Sequence, residues 1–319
     1  MKNKSRTGNS YFADNKSTLF VMFVFVFALN LKGQNQTDLG HYMFFQPIIN
    51  PAAAGSYEAF ANAMYFRKQW VSVDGAPTKF GAYALLPVKN NSFSGSFTQE
   101  SIGVHFRQRL MSVYTYRIKV ADKKFLSFGI GGGVQFLESK FNDVVAHEKQ
   151  DNEFINTGSF VSPDFNFGLY YFSKKYYMGF SIPGFVHNEF ISDNGSLSGK
   201  TDYQIKYWNY YFHTGFLFLF SEKVEGNAST LVRIATNVPI DVDYNLQFLF
   251  RETIGIGFSF RTTKEALVFL NTRISKSIMF GYSYHIYFEV GRQQLSGHEV
   301  IMSFNLKKPN SVIIQTPRF

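Results

Sequence analysis

The sequence predicts an all-β protein, a transmembrane antiparallel β-barrel of about fourteen strands preceded by an irregular N-terminal segment. Three observations lead there. The chain opens with an export-type leader, and no later stretch is apolar and long enough to cross a bilayer as a helix. From Ser56 onward, apolar residues recur at every second position. Composition agrees: of 319 residues, 38 are Phe and 19 are Tyr, and only 17% are charged. Aromatic residues favour strands, and this load exceeds what one soluble core needs. Cysteine is absent, which excludes a disulfide framework and a thiolate metal site.

The leader comes first. Lys2, Lys4, Arg6 and Lys16 precede the apolar run from Leu19 to Leu29, which is short for a spanning helix and suits the hydrophobic region of a signal peptide. Cleavage is expected after Gly33 and before Gln34, the alternative being an uncleaved anchor. The segment through Gly33 carries five basic residues and one acid, so its removal lowers the net charge from +9 to +5. A nucleic-acid partner is therefore not expected.

The strands follow. In hydrocarbon every backbone donor and acceptor must be paired within the protein, so without a spanning helix only a closed barrel remains. Alternating segments lie near 56–68, 78–88, 100–109, 112–121, 125–137, 163–173, 175–183, 206–221, 228–237, 241–251, 254–262, 265–273, 276–289 and 298–307. Along 278–289, Ile278, Phe280, Tyr282, Tyr284, Ile286 and Phe288 share one face, opposite Met279, Gly281, Ser283, His285, Tyr287 and Glu289. Along 254–261, Ile254, Ile256, Phe258 and Phe260 oppose Gly255, Gly257, Ser259 and Arg261. So many greasy faces exceed one soluble core but suit a lipid-facing belt. With a periplasmic N-terminus, the stretches 137–162 and 184–205 fall outside and the tight connections near 121–124 and 173–174 fall inside. One connection disagrees: 89–99 is long, rich in Ser and Asn, and would be periplasmic. The expected organisation is a signal peptide at 1–33, an irregular segment at 34–55, a barrel at 56–308 and a C-terminal tail at 309–319.

The segment after the leader reads YMFFQPIINPAAAGSYE and continues into FRKQWVSVDGAPTKFGAYALLP. These blocks resemble the PorP/SprF family of type IX secretion system outer-membrane proteins of Bacteroidetes. The matching positions are Tyr42, Pro47, Asn50, Pro51, Ala52, Ala54 and Gly55, then Arg67, Gln69, Trp70, Gly75, Ala76 and Pro77. Further likeness runs through 163–183, 280–288 and 297–308, where His298 and Glu299 fall on the pattern. Gln46, His285 and Gly297 depart from it. The resemblance implies an outer-membrane location and a part in protein secretion, surface attachment and gliding motility. The partners it implies are the type IX translocon, its periplasmic ring with lipoprotein components, and the C-terminal signal domain of a secreted adhesin.

The residues themselves add a physical expectation. Pro47 and Pro51 disfavour both helix and central strand, and irregular backbone at membrane depth is tolerated only within a lumen. Tyr42 to Gly55 is therefore expected to tuck into the periplasmic mouth, the alternative being a loose lead-in. Gly129, Gly131, Gly132 and Gly133 lie in a strand pattern and suit space for a plug better than a phosphate loop. The seven histidines show no metal spacing. Ser283 and His285 share a face, but residues two apart on a strand stand about 7 Å apart, too far for a nucleophile and base. Asp241 and Asp243 suit a solvated turn mouth better than a calcium site. Arg117, Lys119, Arg261 and Lys307 on polar faces suit a water-filled interior, pairing with acids such as Glu289, better than an anion-attracting lumen. The outer stretches carry Glu148, Asp151, Glu153, Glu189 and Asp193 among aromatic residues, a mixture suited to protein recognition. Together these readings predict a non-enzymatic barrel without cofactor or metal that binds other proteins, the alternatives being a substrate-selective porin and, remotely, a barrel hydrolase.

Overall fold

The computed structural model describes residues 39–140, 157–193, 196–236, 238–288 and 295–306, all within the unit Gly33–Phe319. The leader at 1–33, Glu148, Asp151, Glu153, the side chain of Asp193, Glu289, Lys307 and the tail at 309–319 lie outside the described residues.

Fourteen strands close into an antiparallel barrel. They are β1 (Ala61–Lys68), β2 (Thr78–Val88), β3 (Asn91–Ile102), β4 (His105–Ala121), β5 (Lys124–Lys140), β6 (Thr157–Ser173) and β7 (Tyr176–Ile182), followed after a separate hairpin, β8 (His187–Asp193) and β9 (Ser196–Asp202), by β10 (Tyr210–Ser221), β11 (Val224–Ala235), β12 (Val238–Phe250), β13 (Ile254–Arg261), β14 (Glu265–Arg273), β15 (Ile278–Tyr287) and β16 (Leu295–Asn305). Each barrel strand pairs with its chain neighbour, and β1 meets β16 in a seam running from Ala61 opposite Asn305 to Lys68 opposite His298. Closure leaves no strand edge for lipid to desolvate.

The period of two becomes two faces. On β13, Ile254, Ile256, Phe258 and Phe260 are exposed to the surroundings while Gly255, Gly257, Ser259 and Arg261 are buried. On β15, Phe280 and Tyr284 face outward while Met279, Ser283, His285 and Tyr287 face inward. Six connections at one end are tight, at 89–90, 122–123, 174–175, 222–223, 251–253 and 274–277. That end also holds the start of β1 and the end of β16. The opposite end carries the longer connections 69–77, 141–156, 183–209 and 288–294. Short turns mark the periplasmic side of such barrels, so the long connections lie outside. The β8–β9 hairpin leans over the lumen from there: Asn188 reaches Gln135 at 3.5 Å and Thr201 reaches Ser162 at 3.3 Å.

The strand number agrees with the sequence reading, but two assignments do not. Residues 100–109 and 112–121 are not separate strands; the second half of the first joins the whole of the second in β4, 17 residues long. The missing strand is β3, placed where a periplasmic loop was expected at 89–99. Its inward Ser92, Ser94 and Ser96 carry little hydrophobic signal, because the apolar atoms beside them come from another part of the chain. The first strand also starts at Ala61 rather than 56.

β3 supplies a direct test. Spin labels at 93, 95 and 97 are expected to be accessible to oxygen dissolved in lipid, and labels at 92, 94 and 96 not. A loop would instead expose every position to a water-soluble relaxant.

Candidate functional site

The segment from Leu39 to Tyr57 lies inside the barrel, running the length of the lumen and not only in the periplasmic mouth where it was expected. Pro47 and Pro51 break any regular run, and the chain makes three short 3-10 turns, Gly40–Met43, Gln46–Ile48 and Pro51–Ser56. Both prolines sit at the first or second position of a turn, where a missing N–H costs nothing. Such turns leave backbone carbonyls unpaired, and a buried carbonyl needs a donor. The barrel wall provides them. Ser181 donates to Ile49 O at 2.7 Å, Thr115 to Pro51 O at 3.0 Å and Ser127 to Ala52 O at 2.7 Å. Ser92 donates to Ala54 O at 3.3 Å, Arg117 to Gly55 O at 3.0 Å and Arg261 to Leu39 O at 3.3 Å.

Asn50 ties the segment to the wall in the reverse sense. Its Oδ1 caps the third turn, accepting from Ala52 N at 2.9 Å, and its Nδ2 donates to Leu169 O at 2.9 Å and Phe180 O at 3.3 Å. Asparagine can do this because one side chain carries both an acceptor and two donors. The wall is cut back to admit it. A Cβ on Gly168 would stand 2.1 Å from Asn50 Oδ1, and one on Gly129 would stand 2.5 Å from Ala52 N. The space expected at Gly129 is thus filled by this segment. Gly131 and Gly133 instead meet side chains or backbone of the wall, and Gly132 lies beside Phe165.

Packing reinforces the hydrogen bonds on three sides. Tyr42, Met43, Phe44 and Ile49 pack with Tyr211, Leu231, Leu249 and Phe269. Phe45, Ala54 and Tyr57 pack with Tyr65, Leu85 and Ile301. Ala52 and Ala53 pack with Tyr170, Phe172 and Tyr177. The inner face is therefore not a water-filled polar lining. Much of the aromatic content serves a dry core between wall and segment, and a void of about 30 Å³ beside Pro47, Ile49 and Arg109 remains, room for about one water.

Nearer the outer end, a buried charge network covers the top of the segment. Glu299 accepts from Gly40 N and His41 N, both at 2.7 Å, and lies 2.6 Å from His41 Nδ1. Arg67 and Arg261 bracket Glu265 at 2.8 and 2.7 Å. Arg261 and Arg233 bracket Asp243 at 2.9 and 2.5 Å, and Arg233 also holds Asp241 at 2.7 Å. Asp243, Glu265 and Glu299 are fully buried. This corrects two expectations: Asp241 and Asp243 do not form a solvated mouth, and Arg261 neutralises buried acids rather than solvating a water-filled lumen.

A third correction concerns Ser283 and His285. The His285 ring folds back so that Nε2 stands 2.8 Å from Ser283 Oγ, while Nδ1 stands 2.6 Å from Glu265 Oε1. The spacing of two residues did not keep them apart. The order of groups is that of a hydrolytic triad, but all three side chains are buried. Gly40 covers them so closely that a Cβ there would stand 3.0 Å from the His285 ring. With the segment in place, a substrate has no approach to Ser283.

The positions singled out in the sequence divide into three groups. Tyr42, Pro47, Asn50, Pro51 and Gly55 belong to the inner segment, where the Tyr42 hydroxyl accepts from Asn245 at 2.7 Å; Arg67 and Glu299 belong to the network above it. Gln69, Trp70, Gly75 and Pro77 build the outer β1–β2 connection: Gln69 N donates to Pro77 O at 2.9 Å, Trp70 and Gly75 adopt φ of 44° and 71°, and Gly75 O accepts from Gly103 N at 2.8 Å. His298 stands apart. It faces outward, 2.7 Å from the Tyr282 hydroxyl. The sequence reading missed His41, Arg233 and Glu265. Also missed was Arg109, which holds Asp164 at 2.5 Å and donates to Pro183 O. An inward-facing charge on an alternating strand is the signal that could have found Arg233 and Glu265.

These features define a class, an outer-membrane β-barrel whose lumen is occupied by its own N-terminal segment. Comparison with known proteins narrows it. The chain belongs to the PorP/SprF family of type IX secretion system membrane proteins, whose family model matches residues 31–304. A comparison with curated proteins gives no match. Among solved structures, the toluene transporter TbuX of Ralstonia pickettii is similar at TM-score 0.50 and 10% identity, covering 83% of this chain and 92% of its own. Omp33 of Acinetobacter baumannii is similar at TM-score 0.46 and 7% identity, covering 79% and 100%. At such identities the likeness is one of fold alone. Fold and family together place the protein in the outer membrane.

Asn50→Ala removes a cap and two part-buried hydrogen bonds to the wall and is expected to loosen the segment by about 2–3 kcal/mol. Faster proteolysis within 46–57 of an otherwise folded barrel would report it. Glu265→Ala, which strips Arg67 and Arg261 of a shared partner, is expected to cost about 3–5 kcal/mol. The readout is a lower temperature of barrel unfolding, seen as the shift to the slow-migrating form in detergent gels.

Proposed function

We propose that the protein is a non-enzymatic component of type IX secretion that binds or anchors an adhesin-type surface protein through that protein's C-terminal signal domain. The observation that carries this reading is the occupied lumen. Wall side chains hold the carbonyls of Leu39, Ile49, Pro51, Ala52, Ala54 and Gly55, so the interior is committed to the chain itself rather than to a solute. What remains for partners is the rims and outer connections, where loops on a rigid scaffold ordinarily carry recognition. The translocon and its periplasmic ring are the partners the family relationship favours. Cleavage after Gly33 would bring the chain to the membrane as an exported protein. The buried state of Ser283 favours no hydrolytic role.

A second reading, a substrate-selective porin or transporter, draws on the width of a fourteen-stranded wall. The two readings differ in two measurements. Reconstituted intact protein is expected to retain a purified C-terminal signal domain from a co-expressed adhesin and to show no steady conductance in planar bilayers. Steady conductance from the intact protein without retention of that domain would replace the secretion reading with the porin one.

A further inference from the structure

The short-turn rim is asymmetric in charge. Strands β2 to β7 are consecutive in the wall and meet the periplasm in three turns, at 89–90, 122–123 and 174–175. Lys89, Lys119, Lys123, Lys124, Lys174 and Lys175 are exposed there, against a single acid, Asp122. Asp122 lies 3.7 Å from Lys119 and offsets one of the lysines. Glu58, on the stretch entering β1, acts on buried Arg117, whose guanidinium is already engaged with Gly55 O and Lys89 O. Among the described residues the opposite half of the rim is mixed: Lys223, Arg251, Arg273 and Lys276 alternate with Glu222, Glu225 and Glu252, and Arg273 lies 3.9 Å from Glu252.

Phospholipid headgroups account poorly for this arc. They surround the whole circumference, whereas among the described residues the surplus of cations covers half of it. Lys119 also shares the inward face of β4 with Thr115 and Arg117, whose side chains reach the inner segment. Its ammonium therefore stands on the lumen side of the rim, out of line with headgroups. Lys124, beside Tyr176, is the lysine a headgroup would meet. Charges at turn tips and on the lumen side address something that lies across the mouth. At physiological salt, charge acts over about 8 Å, so the partner must seat directly on the lysines.

We propose that this arc docks an acidic face of a periplasmic protein across the mouth, beside the exit of the inner segment. The inference rests on the orientation of the barrel and not on the cargo reading. Failure of the adhesin domain to bind would leave it standing.

The test uses the full-length protein in its own cells, with a photo-crosslinking residue at Asn90 within the arc or at Ser275 on the opposite rim. A protein adduct is expected from position 90 and not from 275, with the crosslinked segment of the partner carrying net negative charge. K123E/K174E/K175E is expected to reduce the adduct roughly tenfold, and K223E to leave it unchanged. Because Lys89 and Lys123 occupy left-handed backbone, with φ of 56° and 54°, K89G/K123G removes charge where glycine suits the turn. It should fold normally and still weaken the adduct several-fold. The proposal is overturned by adducts of equal yield from both positions, by lipid adducts alone, by a neutral or basic crosslinked segment, by an adduct that survives charge reversal, or by no adduct from a barrel shown to be folded.

Discussion

An irregular backbone cannot satisfy all of its own carbonyls, and this requirement organises the interior. A buried acceptor left without a donor costs about 1–3 kcal/mol, and at least six on the inner segment take theirs from the wall. The donors come from β2's neighbour β3 and from β4, β5, β7 and β13, so the segment is read from around the circumference. In return the segment needs few polar groups of its own, and Ala52, Ala53 and Ala54 pack at 0%, 0% and 1% exposure. The small residues of this stretch and the serines and threonines of the wall are two halves of one solution.

The charge network follows from the same confinement. Arginine, with five donors in a planar fork, can serve two acids and a carbonyl at once, and Arg261 does so with Asp243, Glu265 and Leu39 O. Burying such charges is tolerable only when each is paired. The acids Asp243 and Glu265 each lie between two arginines, so neither carboxylate is buried uncompensated.

The barrel was legible because β4, β5, β13 and β15 alternate strongly between lipid and lumen, and period two cannot be mistaken over such lengths. β3 was not, since Ser92, Ser94 and Ser96 face a segment that supplies the apolar atoms, leaving a strand with the composition of a loop. The prolines at 47 and 51 announced an irregular stretch, and its place inside the wall, though not its run from the outer charge network down to the short-turn rim, followed from the intolerance of lipid for unpaired backbone. The meeting of His41 with Glu299, 258 positions away, and of Arg67 with Glu265, 198 positions away, is set by the order of strands around a closed wall. The back-folded ring of His285 was likewise invisible, because rise along a strand says nothing about where a long side chain swings.

The direction of the inner segment has a mechanical consequence. It descends from Gly40 and His41 beside Glu299 to Gly55 beside Arg117, and then joins β1 at the short-turn rim. The segment is thus leashed at its lower end, a few residues from the wall. Traction from below can unzip its hydrogen bonds one after another while the β1–β16 seam stays shut. Traction from above must draw that short leash taut and load the first strand itself. The same cork is consequently yielding to one compartment and braced against the other.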